Sequence, residues 1–172
     1  MKHAITILIL MVFALGLGSN VSEVRDRAFI QSIAISSDDD NIYTTIKLFN
    51  DDTIYNGIGD TLEEAINSAE VRQGKEFFTG HTEIVIFNQK DFSINVLEYM
   101  VNSRTISPNC AVVCSKDTIY DTQQAIDVLK SYDRLNQIHL VTACEVIKDF
   151  NTDHGSSIPL LYSDMTYSNT DV

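Results

Sequence analysis

His81 stands in the turn Thr79-Gly80-His81-Thr82, directly before the apolar run Glu83 to Phe87, where an imidazole can be presented at a surface. Such a histidine serves as a general base, a metal ligand or a contact. A lone histidine in a turn more often caps a backbone group or fills a niche. Base chemistry would need an acid or a hydroxyl beside it, and the chain has no G-x-S-x-G elbow to supply one. Zinc would need ligands at fixed spacings, but His81, His139 and His154 are scattered and Cys110-x3-Cys114 has no second pair. Gly57-x-Gly59 lacks the third glycine and the strand-turn-helix setting of a dinucleotide loop, so it reads as a turn. The acidic loop Ser36 to Asn41 lacks the alternating ligands, central glycine and closing glutamate of a calcium loop, and reads as a solvated turn. No catalytic, cofactor or metal site is expected. The enzymatic alternative is an exported hydrolase pairing His81 with an acid or serine from elsewhere.

The elements that must position His81 follow from periodicity. Val21 to Ala28 reads as a short polar helix or turn, and Phe29 to Ile35 as a strand. Ile42 to Phe49 alternates like a second strand, so the two form an antiparallel hairpin; Thr53 to Ile58 is a third strand or the rest of a ribbon. Thr61 precedes Glu63 and Glu64, and Leu62, Ala65, Ile66 and Ala69 recur at helical spacing, which predicts a helix starting near Thr61. The two glutamates there favour the helix dipole without catalysis. After the strand Glu83 to Phe87 come a helix over Phe92 to Val101 and a chargeless strand, Cys110 to Cys114, of the type covered on both faces. Two further helices are predicted over Thr122 to Tyr132 and Ile138 to Phe150. A polar tail follows with one apolar motif, Ile158-Pro159-Leu160-Leu161. Helices between strands give an α/β (α+β) class, with a mixed β-sheet starting from an antiparallel hairpin and flanked by helices.

The 172 residues, 44% apolar, suit one core. Met1-Lys2-His3, the apolar run Ala4 to Leu17 and the small group Gly18-Ser19-Asn20 have the form of a secretory signal, residues 1–18, leaving 19–172 as one domain. The run is shorter than the roughly 20 apolar residues of a membrane span, so a transmembrane helix is the weaker reading and an uncleaved anchor the alternative. The chain has 12 basic and 24 acidic residues; losing the signal removes Lys2, and 11 minus 24 leaves −13. Such a chain repels nucleic acid and anionic lipid, so membrane association must come through the N-terminus or a partner. Cys110, Cys114 and Cys144 are odd in number, and two on one strand four residues apart lie about 13 Å from each other, too far to bridge. Buried free thiols are expected, the alternative being a bridge from Cys144 to one of the other two.

Taken in order, these motifs resemble the N-terminal domain of the spore germination C proteins, the Ger(x)C family of germinant receptor subunits. The family's opening and first strand correspond to Ser22-Glu23-Val24 and Ser32-Ile33-Ala34-Ile35-Ser36-Ser37-Asp38. Its "G-x-T-x-x-E-A" helix start corresponds to Gly59-Asp60-Thr61-Leu62-Glu63-Glu64-Ala65, and its "F-x-G-H" turn and strand to Phe78 through Phe87. Val96 to Met100, Ala111-Val112-Val113 and Ile158-Pro159-Leu160-Leu161 fit the next helix, the next strand and the domain's closing segment. The resemblance covers about residues 22 to 161. It implies a non-enzymatic, exported subunit, in the spore inner membrane or cell membrane, that takes part in germination by binding integral-membrane receptor partners. Gly80, His81, Thr82 and Glu83 are the candidate interaction surface. Two features depart from the family. Ser19 stands where the lipobox cysteine is expected, and the chain stops at Val172 where family members continue for about another 150 residues, a usual domain size. A stand-alone paralogue, a split product or a degenerate truncated remnant would each read this way.

Overall fold

The computed structural model describes residues 27–117, 122–152 and 155–171. The signal-like segment, the Ser22-Glu23-Val24 match, most of the Val21 to Ala28 reading and His154 lie outside the described residues. Arg27 and Ala28 themselves already belong to a strand, β1 (Arg27–Ser37), rather than to a helix or turn. Its buried apolar residues change parity, from Ala28 and Ile30 to Ile33 and Ile35. The cause is a bulge: pairing with β2 (Ile42–Leu48) shifts between Ile30 and Ser32, so Gln31 is the extra residue and the side-chain alternation restarts beyond it. β1 and β2 are antiparallel, as expected of a hairpin, and β3 (Ile54–Gly59) adds an antiparallel third strand.

Helix α1 (Leu62–Gln73) starts where the capping sequence places it. Thr61 Oγ1 accepts from the Glu64 amide at 3.2 Å, Glu64 returns a carboxylate to the Thr61 amide at 3.2 Å, and Gly74 closes the helix at φ 74°. Leu62, Ala65, Ile66 and Ala69 form its buried stripe. Gly57 and Gly59 do not form a turn: both lie within β3, under this helix. A Cβ on Gly57 would sit 1.8 Å from the Ala65 carbonyl oxygen, and one on Gly59 would sit 2.5 Å from Glu64 Cβ. Their missing side chains let helix and strand touch backbone to backbone, and Thr44 donates its hydroxyl to the same Ala65 oxygen at 3.3 Å.

The remaining elements are β4 (Glu76–Phe78), β5 (Ile84–Asn88), a 3₁₀ turn (Gln89–Asp91), α2 (Ile94–Asn102), β6 (Ala111–Ser115), α3 (Thr122–Arg134), α4 (Ala143–Asn151), β7 (Ser157–Leu161) and β8 (Tyr167–Asp171). Eight strands form one mixed sheet in the order β3-β2-β1-β5-β6-β7-β8, with β4 also beside β1. β1, β5, β6 and β7 run parallel; the flanking pairs are antiparallel. The central strands β5 and β6 are buried on both sides. Val85, Phe87, Val112 and Cys114 pack toward α1, α2 and α4, while Ile84, Ile86, Ala111 and Val113 pack toward α3.

Three readings of the sequence change here. The fourth helix begins at Ala143, not Ile138, because residues 138–142 pass from one face of the sheet to the other. Ile138 and Leu140 pack with α3, then Val141 accepts from the Val112 amide at 2.9 Å and Ala143 donates to Cys110 at 2.9 Å, strand-like, beside β6. Thr142 and Glu145 then form a second capping box. The polar tail is a hairpin, β7 and β8, whose Ile158 and Leu161 enter the two cores. Among the cysteines, Cys110 and Cys114 are buried, but Cys144 is exposed on the outer side of α4; all three are free.

Candidate interaction surface

Two short strands, β4 and β5, run along β1 in succession, and the residues between them are forced outward. Phe29 aligns with Phe78, an offset of 49, whereas Ser32 aligns with Ile84, an offset of 52. Three residues more than β1 requires are therefore held in the connection, and they form the Gly-His turn. The turn is closed by the Thr82 amide and the Thr82 hydroxyl, both donating to the Thr79 carbonyl, at 3.0 and 2.8 Å. Thr79 in turn donates its hydroxyl to the Arg104 carbonyl at 2.8 Å, tying the turn to the end of α2.

Of the four predicted surface residues, Gly80 and His81 are exposed, Glu83 is half-buried and Thr82 is buried. Thr82 thus builds the turn from inside. The His81 ring lies against two phenylalanines, its centroid 5.9 Å from Phe29 and 5.5 Å from Phe78, and those two rings meet edge-on at 5.3 Å. Arg27 adds its guanidinium over the other ring of the pair, 5.9 Å from the Phe78 centroid. Among the described residues His81 has no hydrogen bond to a carboxylate or hydroxyl. Nor do the described residues contain a group of three His, Cys, Asp or Glu side chains able to hold a metal.

Glu83 is the point where the turn is fastened to the sheet. Its amide donates to the Gln31 carbonyl at 2.8 Å, and its carbonyl accepts from Ala111 at 2.8 Å. Its carboxylate accepts from Gln31 Nε2 at 3.1 Å and pairs with Lys130 Nζ of α3 at 2.8 Å. The β1 bulge and the Gly-His turn are thus one device, since the extra residue Gln31 holds the residue that ends the turn. Beside it, Phe29, Phe49, Asn50, His81 and Glu83 line a cleft of about 400 Å³. Phe29, Phe49, Gln31 and Lys130 were not among the candidate surface residues read from sequence, and Phe78 entered there only as the first residue of the F-x-G-H match. The Phe77-Phe78 pair before Gly80 was a local signal; the others reach the turn only through the parallel register. The buried cysteines are chemically quiet, burial pushing both the Cys110 and Cys114 thiols up to about 12.

A mixed sheet opened by an antiparallel hairpin, helices on both faces and a Gly-His bulge beside the central strand define an α+β domain. The chain belongs to the spore germination protein N-terminal domain family, whose model matches residues 20–161. No curated protein and no solved structure gives a significant match. The family assignment agrees with the Ger(x)C resemblance and ties the chain to spore germination and to receptors that are generally membrane-associated. Among the described residues no helix is long and apolar enough to cross a membrane.

Proposed function

We infer that this chain works in spore germination as an exported, non-enzymatic subunit, binding integral-membrane receptor partners through the Gly80-His81 bulge. The observation that carries this reading is the setting of His81: exposed, backed by Phe29 and Phe78, and without a proton-transfer partner among the described residues. An imidazole so placed offers an edge and a ring for contact. The charge of −12 argues against nucleic acid and anionic lipid as partners. With Ser19 in the lipobox position, attachment to a membrane falls to the N-terminal segment or to the partners. The test is capture of receptor membrane subunits by the full chain and by His81→Ala, with circular dichroism showing that both fold alike. Capture by the wild type and its loss in the variant are expected. Equal capture by both makes His81 a structural residue, and no capture by either removes the receptor reading. Fractionating the native cells checks localisation, and a purely cytoplasmic protein with an intact Met1 would overturn export.

A further inference from the structure

We propose that the cleft beside the bulge seats a cationic side chain, arginine or lysine, from a protein partner. The inference rests on the binding-subunit reading above and names the chemistry of what is bound. The walls are aromatic: Phe29 and Phe49, with His81 at the mouth. Aromatic faces attract a cation within about 6 Å of the ring centroid. The fold already uses this contact twice: Lys116 lies over Tyr162, and beside the cleft Arg27 lies over Phe78, the ring that packs against both Phe29 and His81. The cleft also contains a carboxylate that is oriented but not saturated. Gln31 and Lys130 both bond Glu83 through the same oxygen, Oε2, and Oε1 has no hydrogen-bond partner among the described residues.

The cations near the cleft are committed within the chain. Lys130 is held by Glu83, Lys47 reaches the Asp51 carbonyl and Asp52, and Arg27 covers Phe78. A chain with 24 acidic and 12 basic residues steers a basic segment toward itself and an acidic one away. Five-membered clefts of purely apolar lining would fit an aliphatic plug equally well; Glu83 is what selects a cation here.

The test is a titration of the ¹⁵N-labelled full chain with three capped tripeptides, Ac-Gly-Arg-Gly-NH₂, Ac-Gly-Leu-Gly-NH₂ and Ac-Gly-Phe-Gly-NH₂, at low salt. Saturable shifts of the Asn50, Gly80, His81 and Glu83 amides are expected with the arginine peptide. They should weaken at least fivefold on adding salt and in Glu83→Gln, and should also weaken in Phe49→Ala if its amide dispersion shows it folded. Tighter binding of the leucine or phenylalanine peptide at the same amides overturns the cation in favour of an apolar occupant. No saturable shift with any peptide, or an undiminished one in Glu83→Gln, overturns the site. Receptor subunits captured by a chain whose cleft ignores arginine would sink this inference and leave the binding-subunit reading intact. Saturable arginine binding without capture would do the reverse.

Discussion

The block from Gly57 to Phe87 contains two glycine-bearing motifs, and the fold uses them in opposite ways. Gly57 and Gly59 lie inside β3, where the α1 backbone leaves no room for a Cβ. Gly80 lies on an exposed turn, where the nearest atoms to a built Cβ are the far ring atoms of Phe78, at 3.0 Å. The first motif is a condition for helix and strand to meet. The second lies where three extra residues leave the sheet, and a side chain there would meet only the end of a ring that can turn. A family signature can thus carry a requirement of folding and a candidate for function within about twenty residues.

The largest effect that would sharpen this contrast is expected from Gly57→Ala. A methyl 1.8 Å from the Ala65 oxygen and 2.7 Å from Thr44 Oγ1 cannot be absorbed by rotamer changes, because the first obstacle is backbone. The helix must lift from the sheet, losing contact along Leu62, Ile66 and Ala69, and a loss of about 3 kcal/mol or more is expected in chemical denaturation. A variant as stable as wild type would show that α1 does not rest on β3 in solution.

This is also where sequence reading was most and least informative. The α1 boundary was legible because Thr61 and Glu64 announce a local capping box, and the β5 and β6 strands because continuous apolar runs imply burial on both faces. Gly57 and Gly59 looked like a turn because a close approach between two elements leaves no trace in either one alone. Ile138 to Val141 looked helical because apolar residues that belong to two different cores mimic one stripe. The aromatic cluster was illegible for a similar reason. Phe29 meets Phe78 and His81 only after parallel pairing across about fifty residues of chain.

A second contrast separates buried from exposed thiols. Burial raises Cys110 and Cys114 from 9.0 to about 12, so the folded state holds the protonated form more tightly than the unfolded chain does. The stability this gives is complete below pH 9 and is lost as pH rises toward 12, on the order of 1 kcal/mol per thiol for each pH unit above 9. Denaturation midpoints at pH 8 and pH 10.5 should diverge more for wild type than for the Cys110→Ala/Cys114→Ala variant. At pH 8, iodoacetamide should label Cys144 in the native protein and the other two only after unfolding. Equal labelling of all three would mean that the α4 side of the sheet opens readily.

Gly80→Ala should do far less than Gly57→Ala. The obstacle is the end of a side chain, and Phe78 can turn slightly, while the lost flexibility of the unfolded chain offsets part of the cost. A change within about 1 kcal/mol is expected. The readout that separates it from a silent substitution is the Phe78 and His81 ring resonances, which should shift together. Destabilisation as large as that of Gly57→Ala would mean that the turn, like β3, is a folding requirement.

The smallest effect on stability should come from His81→Ala, and it is the most informative about function. The ring is exposed and leaves only its contacts with Phe29 and Phe78, so the loss should be about 0.5 kcal/mol, the range of surface substitutions. The turn should persist, because it is closed by Thr82 and fastened by Glu83, neither of which uses the imidazole. A folded, near-wild-type variant that no longer captures receptor subunits would therefore separate the role of the turn in binding from its role in the fold, which no substitution at Gly57 can do. If stability instead falls by 2 kcal/mol or more, the two halves of the motif are alike, and His81 is one more member of the core.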